Sequence, residues 1–436
     1  MKYYSTNGCA PLASLQETVV RGLAPDKGLY MPKSIRPLPQ EFFDDIQDMS
    51  FQDIAFNVAS ALFGDDIDGD ALQEIVYDTL SFDCPTVQVT DNIHSLELFH
   101  GPTLAFKDVG ARFMARLLQY FIHDERQVNV LVATSGDTGS AVANGFLCVE
   151  GIHVYVLYPK GKVSPIQECQ FTTLGHNITA IEVDGVFDDC QRLVKSAFMD
   201  GELNEHMRLT SANSINVARF LPQSFYYFNA YARIKKLSER GGIDLSRIVV
   251  CVPSGNFGNI CSALFGKRMG LPIKRFIAAN NANSVFYEYL KTGVYTPRPS
   301  VQTIANAMDV GDPSNFARIL DLYGKDHKAI CADISGATYT DKQIAQTINK
   351  VFTATGYLCD PHGACGFRAL QEGLCEGETG IFCETAHPAK FKDTVESIIG
   401  SEIEIPSKLQ AFMSGEKQSI TLPKDFKSLK DLLMSR

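Results

Sequence analysis

The stretch Val128-Asn-Val-Leu-Val-Ala133-Thr-Ser-Gly-Asp137-Thr-Gly139-Ser-Ala-Val142 joins an apolar run to a helix-forming segment through a loop of small residues. A short apolar run of this kind is typical of a strand that is buried on both faces of a parallel sheet. Two more such runs follow, at 153–157 and 178–183, and each precedes a helix-length segment with periodic apolar residues. The alternation predicts a parallel sheet with helices on its faces.

The same alternation returns later in the chain, as a strand at 247–252, a helix at about 259–269 and a strand at 274–279. A long helical stretch at 217–237 separates this second block from the first. We therefore expect an α/β fold with two layered parallel-sheet domains.

The beginning and the end of the chain differ from these blocks. Pro32, Pro37 and Pro39 separate the opening from helix-like segments, which predicts a mixed N-terminal region. The last stretch, 414–436, is expected to be a surface helix with its approach. The predicted divisions are an N-terminal region at 1–93, a large domain at 94–124 and 201–436, and a small domain at 125–200.

Length and charge limit the class of protein. At roughly 150 residues per domain, 436 residues predict two to three domains with a sizeable core. Apolar residues make up 45% of the chain, but the longest apolar runs are much shorter than the roughly 18 residues that span a bilayer. The 40 basic and 50 acidic residues give a net charge of -10 without a Lys/Arg cluster, which argues against nucleic acid or a membrane as partner. We expect a soluble monomer or homodimer whose partner is a small molecule.

The cellular compartment and metal content follow from the opening and the cysteines. Residues 1–15 lack the apolar core of a secretory signal and the Arg-rich character of a transit peptide, so we expect a cytoplasmic location. The 12 cysteines are scattered, without a Cys-x-x-Cys pair or a zinc-like His/Cys spacing. This pattern predicts reduced thiols and no metal site.

A lysine stands where a turn leads into a helix. The segment Leu96-Glu-Leu-Phe-His-Gly-Pro-Thr-Leu-Ala-Phe-Lys107-Asp108 predicts a strand, a Gly-Pro turn and a helix start. Apolar Phe106 and the positive end of the helix would disfavour an ammonium, so that the amine form of Lys107 becomes accessible and can form a Schiff base. Taken alone, the segment also fits an ordinary solvated lysine at a helix start.

The loop in the first quoted stretch offers donors to an anion. It comprises Thr134, Ser135, Gly136, Asp137 and Thr138. Glycine lets the backbone approach a ligand closely, and the N–H groups and hydroxyls at a helix start suit a carboxylate. The alternative is a plain strand-to-helix turn capped by Asp137 or Thr138.

A second glycine loop, Val252-Pro-Ser-Gly255-Asn-Phe-Gly258-Asn-Ile, also lies between a predicted strand and a predicted helix. Successive N–H groups in such a loop form a nest for a phosphate. The loop matches neither the Walker nor the dinucleotide-binding pattern, which weakens a nucleotide-binding interpretation.

Two further segments contain polar candidates. The stretch Ala212-Asn213-Ser214-Ile-Asn216-Val-Ala-Arg219 places donors before the long helix and a guanidinium near its first turn, which suits a dianionic group, although a solvated arginine is the alternative. An apolar strand ends in Phe382-Cys-Glu-Thr385-Ala-His387-Pro-Ala-Lys390. His387, like His362 in the earlier Asp-Pro-His turn, also fits a structural histidine hydrogen-bonded in a loop.

Together these segments resemble the threonine synthase family, pyridoxal-phosphate enzymes of the fold group that also holds the tryptophan synthase β subunit, cysteine synthase and threonine dehydratase. The resemblance begins at Arg21-Gly-Leu-Ala-Pro-Asp-Lys-Gly-Leu-Tyr-Met-Pro32 and also includes Met308-Asp-Val-Gly-Asp-Pro-Ser-Asn315-Phe. It implies the tryptophan synthase β-like fold, with the large domain binding the cofactor and the small domain carrying the substrate loop.

The resemblance implies a role for each segment. Lys107 is the Schiff-base lysine for pyridoxal 5'-phosphate, Thr385 faces its pyridine nitrogen, and Asp137 lies near its phenolic oxygen, where the wider fold group often has Asn. The residues implied to hold the cofactor phosphate are Gly255, Asn256, Phe257, Gly258 and Asn259. The residues implied to bind the substrate are Thr134, Ser135, Gly136, Asp137 and Thr138 at its carboxylate, and Asn213, Ser214 and Arg219 at its phosphate. Gly363 and Cys365 depart from the more usual Asp-Pro-His-Thr-Ala-Val-Gly.

The implied reaction is the conversion of O-phospho-L-homoserine and water to L-threonine and phosphate, by γ-elimination and then β-addition. The rival activity is a lyase or β-replacement enzyme of the same fold, such as a serine or threonine dehydratase, which needs no second anion site. Arg219 with Asn213 and Ser214 argues against that rival. A non-catalytic cofactor-binding or phosphate-binding relative is the other alternative, and the intact Lys107 argues against it.

Overall fold

The computed structural model describes residues 1–122 and 127–436. The predicted boundary between 124 and 125 lies outside the described residues. The strands of the described chain are β1 (Tyr3–Ser5), β2 (Tyr30–Pro32), β3 (Thr86–Gln88), β4 (Ile93–Glu97), β5 (Val128–Ala133), β6 (Ile152–Pro159), β7 (Ile178–Asp184), β8 (Arg208–Ser211), β9 (Ile248–Pro253), β10 (Arg275–Asn280), β11 (Ile334–Thr338), β12 (Thr379–Glu384) and β13 (Ile420–Pro423).

The helices lie between and around these strands. They are α1 (Leu15–Arg21), α2 (Gln40–Asp45), α3 (Phe51–Phe63), α4 (Gly69–Thr79), α5 (Lys107–Phe121), α6 (Asp137–Gly145), α7 (Pro165–Thr172), α8 (Phe187–Met199), α9 (Gly201–His206), α10 (Val217–Phe220), α11 (Phe225–Ser238), α12 (Gly258–Arg268), α13 (Val285–Thr292), α14 (Phe316–Leu322), α15 (His327–Asp333), α16 (Asp341–Thr355), α17 (Pro361–Gly373), α18 (Lys392–Ile399), α19 (Ser407–Met413) and α20 (Phe426–Met434). Short 3-10 turns stand at Ile46–Asp48, Leu221–Ser224, Leu245–Arg247, Asn306–Met308 and Pro388–Phe391.

The larger sheet has the strand order β11-β10-β9-β12-β4-β3. Its strands run parallel except β3, which pairs with β4 in the antiparallel sense at the edge. Every residue of β9 and of β12 is buried, because helices cover both faces of the sheet. This explains why both strands show as apolar runs in the sequence.

The smaller sheet has the order β13-β7-β6-β5-β8, and all its strands are parallel. The predicted runs at 128–133, 153–157 and 178–183 form β5, β6 and β7. The expected α/β fold with two parallel-sheet layers is confirmed. Two strands of this sheet, β8 and β13, come from residues outside the predicted small domain at 125–200.

Two of the predicted elements differ in detail. The helical stretch at 217–237 is interrupted by a 3-10 turn at Leu221–Ser224, because Pro222 has no N–H group to donate within a helix. The interpretation of 414–436 as a surface helix with its approach is incomplete, since β13 pairs with β7 and α20 buries Leu429 and Leu433 completely. That segment completes the smaller sheet.

The N-terminal region combines the β1–β2 antiparallel pair with a group of helices. Helix α3 packs against α4 and against α11. In the described part of the chain, none of the helices combines the length and the apolar character that a bilayer crossing requires.

A buried carboxylate joins two strand ends of the larger sheet. Glu378 precedes β12, and its carboxylate lies 2.6 Å from Arg275 Nη2 and 2.9 Å from Lys274 Nζ, beside the start of β10. The N–H group of Cys375 also donates to it, at 2.8 Å. Burial would raise the pKa of Glu378, but Arg275, this N–H group and Lys274 outweigh burial and lower it to about 2.

We expect Glu378→Gln to lower the free energy of unfolding by about 1–2 kcal/mol at pH 7, because it removes the carboxylate from two cations that solvent partly screens. A carboxyl group with a lowered pKa in the folded state stabilises it above the unfolded pKa, and this contribution is lost as pH falls from about 4.5 towards 2. Urea unfolding at several pH values measures the difference, which should narrow in acid. Exposed Glu376→Gln is the matched control. A difference that stays constant with pH would contradict the assigned charge effect.

Candidate active site

The sequence candidates lie in segments that follow the carboxyl ends of parallel strands. β4 leads through the Gly-Pro turn to α5, β5 to α6, β9 to α12, and β8 to α10, while β12 leads into the segment of Thr385. In open α/β sheets, ligands bind at this edge because the loops converge there.

Lys107 is the first residue of α5, and its side chain is half-buried. Its Nζ atom lies 5.4 Å from the centre of the Phe106 ring. Burial lowers the pKa of Lys107 to about 8, Lys390 and Arg219 act in the same direction, and Asp137 opposes them. An amine with this pKa is uncharged in a useful fraction of molecules near neutral pH.

The structure brings Thr385 next to Lys107. The N–H group of Phe106 donates to the Thr385 carbonyl at 2.9 Å, and Ala105 forms an isolated antiparallel bridge with Ala386. Thr385 is buried. The end of β12 and the start of α5 are therefore held together by the backbone.

The loop at 134–138 is shaped by one of its own hydroxyls. Thr134 Oγ1 accepts from the N–H groups of Gly136 and Gly139, at 3.0 and 2.8 Å, and donates to the Gly136 carbonyl at 3.0 Å. Gly136 has φ +147°, and a Cβ there would lie 2.6 Å from the Gln167 side chain. Thr134 therefore stabilises the loop, while half-buried Ser135 and Thr138 lie closer to its surface.

Asp137 begins α6 and is buried. Its Oδ1 atom lies 2.6 Å from Lys390 Nζ and accepts from Gln167 Nε2 at 2.9 Å. Burial alone would raise the pKa of Asp137, but Lys390 and Lys107 outweigh burial and hold it well below its ordinary value. Asp137 is therefore a carboxylate at neutral pH.

The glycine loop at 255–259 lies tightly against its neighbours. A Cβ on Gly258 would approach Ser214 Cβ to 2.9 Å, and one on Gly255 would approach the Ala307 carbonyl to 2.6 Å. Phe257 adopts a left-handed conformation, with φ +61°. Residues other than glycine rarely adopt this conformation, so the backbone of the turn is locally strained at Phe257.

The two asparagines of this loop form hydrogen bonds with side chains of the surrounding protein. Asn259 Oδ1 accepts from the hydroxyls of Tyr226 and Tyr227, at 2.5 and 2.7 Å, whereas its Nδ2 atom is buried without a hydrogen-bond partner. Asn256 Nδ2 donates to Ser214 Oγ at 2.8 Å, and Asn315 Nδ2 donates to the same oxygen at 3.1 Å. Since both bonds use Ser214 as an acceptor, its hydroxyl hydrogen is left to donate.

Arg219 lies behind Lys107. The guanidinium is buried, Nη1 donates to the Lys107 carbonyl at 3.2 Å, and Nε has no hydrogen-bond partner. Burial lowers the pKa of Arg219 to about 10, which leaves it cationic at neutral pH. Half-buried Asn213 has an Oδ1 atom that is also without a partner.

Next to these residues stands a group of buried acids that the sequence analysis did not single out. Asp360 Oδ1 lies 2.6 Å from His362 Nδ1, and Asp360 Oδ2 accepts from the Ala386 N–H group at 3.0 Å. Glu384 Oε1 accepts from the Asp360 N–H group, and a Cβ on Gly363 would lie 1.6 Å from Glu384 Oε2. Burial and the charge of Asp360 raise the pKa of Glu384 well above its ordinary value. Glycine at 363 therefore makes room for the glutamate beside Thr385.

Lys390 is the other residue whose contact was missed. It belonged to the quoted Thr-Ala-His-Pro-Ala-Lys segment, but no spacing rule connects residue 390 to residue 137. The one feature of the sequence that could have drawn attention to Lys390 is its position, as a basic residue three places after His387 in a segment with few other charges.

The donor set fits pyridoxal phosphate. Two donors among the site residues, Arg219 Nε and Asn259 Nδ2, are buried without a partner and suit anionic oxygens. The close approach at Gly258 leaves no room for a side chain in the nest. The half-buried Lys107, whose pKa is lowered, lies next to Arg219. The fold and the site define a pyridoxal-phosphate-dependent enzyme of the two-sheet α/β class.

Comparisons agree with this class. The family model described as pyridoxal-phosphate dependent enzyme matches residues 90–382, and those of the threonine synthase N terminus and C terminus match 2–80 and 363–433. The chain belongs to the threonine synthase family.

Individual relatives extend over the whole chain. The threonine synthase of Serratia marcescens is 41% identical over 434 residues, covering 100% of this chain and 99% of the relative. The crystal structure of threonine synthase from Escherichia coli superposes with a TM-score of 0.93 at 40% identity and full coverage of both chains. The PLP-bound threonine synthase from Brucella melitensis has a TM-score of 0.92 at 34% identity, covering 100% of this chain and 99% of that one. The expected family and cofactor are confirmed.

We expect Gly258→Ala to weaken binding of pyridoxal phosphate at least about tenfold, because the new Cβ would lie 2.9 Å from Ser214 Cβ and would push the nest open. Gly201→Ala is the matched control, since Gly201 also starts a helix and a Cβ there meets nothing within 4 Å. Cofactor titration followed by absorbance measures the dissociation constants. Equal affinities of both variants would show that the loop at 255–259 does not hold the cofactor.

Proposed function

We propose that this chain converts O-phospho-L-homoserine and water to L-threonine and phosphate with pyridoxal phosphate, and that Lys107 is the residue which binds the cofactor and moves protons. The observation that carries the proposal is the position of Lys107. Its amine has a lowered pKa, and it lies at a helix start where the charge of Asp137 acts on it and where the neighbouring Phe106 is bonded to the Thr385 carbonyl.

Bound pyridoxal phosphate supplies an electron sink for charge that develops at the substrate Cα. The chain itself must then hold three anionic groups and move protons at two carbons. Lys107 Nζ, uncharged in part near neutral pH, is the base proposed to take up and return protons at Cα and Cβ. The Lys107 amine would be free for this role once the substrate amine has taken its place on the cofactor.

Three sets of donors are assigned to the three anions. The 255–259 loop holds the cofactor phosphate, and the 134–138 loop holds the substrate carboxylate through its N–H groups and the hydroxyls of Ser135 and Thr138. Asn213, Ser214 and Arg219 hold the substrate phosphate that leaves. Ser214 lies between the two phosphate sites, since it also bonds Asn256 of the nest.

Thr385 and Asp137 are assigned to the cofactor ring. A hydroxyl at the pyridine nitrogen, where other pyridoxal folds place a carboxylate, leaves that nitrogen largely unprotonated, because a neutral hydroxyl stabilises a ring cation poorly. An unprotonated pyridine nitrogen would stabilise negative charge at the substrate Cα less strongly, and this would influence which bond of the substrate breaks. Asp137, ionised and fixed by Lys390, would lie near the phenolic oxygen.

The organisation of the domains is part of the proposal. The smaller unit carries the carboxylate loop and includes β8 and β13 in addition to the predicted residues, and the substrate binds in the cleft beside the larger sheet. Donors on both sides of the cleft support closure on binding. We further propose a cytoplasmic monomer or homodimer, in keeping with the twelve free cysteines.

The direct experiment is a product assay with O-phospho-L-homoserine, serine and threonine, together with mapping of the cofactor. Borohydride reduction of the holoenzyme should leave a pyridoxyl label on Lys107, and Lys107→Ala should lose both the label and the activity. A label on another lysine would overturn the assignment, and turnover of serine but not of phosphohomoserine would overturn the substrate.

A second experiment tests Arg219. Charge-assisted contacts to a phosphate contribute roughly 1.5–3 kcal/mol each, so Arg219→Ala should lower kcat/KM for phosphohomoserine by about one to two powers of ten. Binding of norvaline, which has no phosphate, should change little. Both ligands are measured by the change in cofactor absorbance. If both weaken equally, Arg219 acts on the fold through the Lys107 carbonyl and not on a phosphate.

A further inference from the structure

Two lysines and one carboxylate lie together beside the helix start of Lys107. Lys390 Nζ is 2.6 Å from Asp137 Oδ1, and its side chain is fully buried. Lys107 is the second cation that acts on Asp137. The assignments made above give Lys390 no role of its own.

The second contact of Lys390 is to the turn before Lys107. Its Nζ atom donates to the Thr103 carbonyl at 2.9 Å, and Gln170 Nε2 donates to the same oxygen at 3.0 Å. Gln167, from the same helix α7, donates to Asp137. Lys390 therefore holds the Asp137 carboxylate and the turn at Thr103 at the same time. Helix α7 contacts the same two groups through Gln167 and Gln170.

Lys390 and Lys107 both interact with the Asp137 carboxylate, and this affects how readily Lys107 loses its proton. A buried carboxylate stabilises the ammonium form of a nearby lysine and can shift its pKa by about 1–3 units, and Asp137 acts on Lys107 in this direction. If Asp137 had Lys107 as its one cation, it would hold Lys107 protonated. Lys390 occupies Asp137 through a short direct contact and adds a positive charge that disfavours a second ammonium.

We propose that Lys390 is a positioning residue that takes Asp137 as its ion-pair partner and so increases the fraction of molecules in which the Lys107 amine is uncharged and ready to react. This inference rests on the proposed function in so far as Lys107 is the reacting amine. Lys390 touches neither the substrate nor the reacting carbons in this scheme, and it acts through Asp137.

The other ionisable groups near Lys390 do not replace Asp137. Asp108 already accepts from the Thr103 N–H group at 2.9 Å and from its hydroxyl at 2.6 Å, and burial raises its pKa. Burial lowers the pKa of His387 to about 4 and raises that of Cys169 to about 11, so that both are neutral near pH 7. Arg219 faces Lys107 as a further cation.

The test measures the pH at which Lys107 loses its proton, in the full-length protein cleared of cofactor and shown to rebind it afterwards. Trace acetylation followed by peptide mass spectrometry gives this midpoint for Lys107 alone. We expect about 8 in the unchanged protein. Lys390→Met should raise the midpoint by at least about one pH unit. In the holoenzyme, the pH midpoint of the cofactor absorbance should move in the same direction.

Three variants separate charge from packing. Lys390→Gln keeps a donor for Asp137 and Thr103 without the charge, and it should also raise the midpoint. Lys390→Arg keeps the charge and should leave it near the original value. In Lys390→Met combined with Asp137→Asn, the carboxylate is gone, so that the midpoint should fall back below that of Lys390→Met.

A matched control uses the same turn. Lys408 Nζ donates to the His100 carbonyl at 2.8 Å, also next to the Gly-Pro turn, but it is given no carboxylate partner in this scheme. Lys408→Met should leave the Lys107 midpoint unchanged. An equal shift in Lys408→Met would show that anchoring of the turn, and not the ion pair, sets the midpoint.

The inference is overturned if Lys390→Met and Lys390→Gln fold and leave the Lys107 midpoint within about 0.3 pH units of the original. It is also overturned if neither variant folds, since Lys390 would then serve the fold alone. A cofactor label on a lysine other than Lys107 would refute the proposed function without changing the acetylation result, so the two failures are distinguishable.

Discussion

The site depends on one buried guanidinium. Arg318 is fully buried, and its Nη1 atom donates to the Ser214 carbonyl at 3.0 Å and to Asn315 Oδ1 at 2.5 Å. Its Nη2 atom donates to the Ile215 carbonyl at 2.5 Å and to the Tyr30 carbonyl at 3.3 Å, and the guanidinium lies 4.1 Å from the Phe220 ring centre. A buried cation is costly unless its donors are used, and here carbonyl and amide oxygens use them.

These contacts join three parts of the chain that are distant in sequence. Tyr30 begins β2 in the N-terminal region, Ser214 belongs to the proposed phosphate site, and Asn315 holds both Ser214 and the carbonyl of Asn256 in the nest. A displacement of Arg318 would therefore move the N-terminal region and both proposed phosphate sites together. This gives the N-terminal region a physical connection to the site, although it supplies none of the proposed ligand contacts.

The sequence predicted best what local patterns encode. A strand buried on both faces must be an apolar run, and a loop between a strand and a helix at a shared sheet edge must lie near the other such loops, so β5, β9 and the segments of Lys107 and Gly258 were found. The roles of the individual site residues stay predictions. β13 was not predicted, because it is a short edge strand with alternating exposure and has no continuous apolar run.

The ion pair of Asp137 with Lys390 and the contacts of Arg318 were missed for another reason. They join residues that are far apart in the chain, and nothing local distinguishes a lysine or an arginine that pairs in this way from a solvated one. Glu384 and Gly363 show the same limit. The glycine was visible as a departure from the family pattern, but its cause, a glutamate at the end of β12, needs coordinates.

The strand order has a consequence for folding of the chain during its synthesis on the ribosome. In the larger sheet, β12 separates β9 from β4, and in the smaller sheet β13 covers the outer edge of β7. Each of these strands is synthesised after the strands with which it pairs, so until it emerges the nascent chain exposes an unfilled position inside the larger sheet and an unpaired edge on the smaller one. Contacts of such long sequence separation form slowly, and exposed edges of this kind attract other strands. Protection of the unfinished chain during translation therefore matters more for this topology than for one whose strands pair in the order in which they emerge.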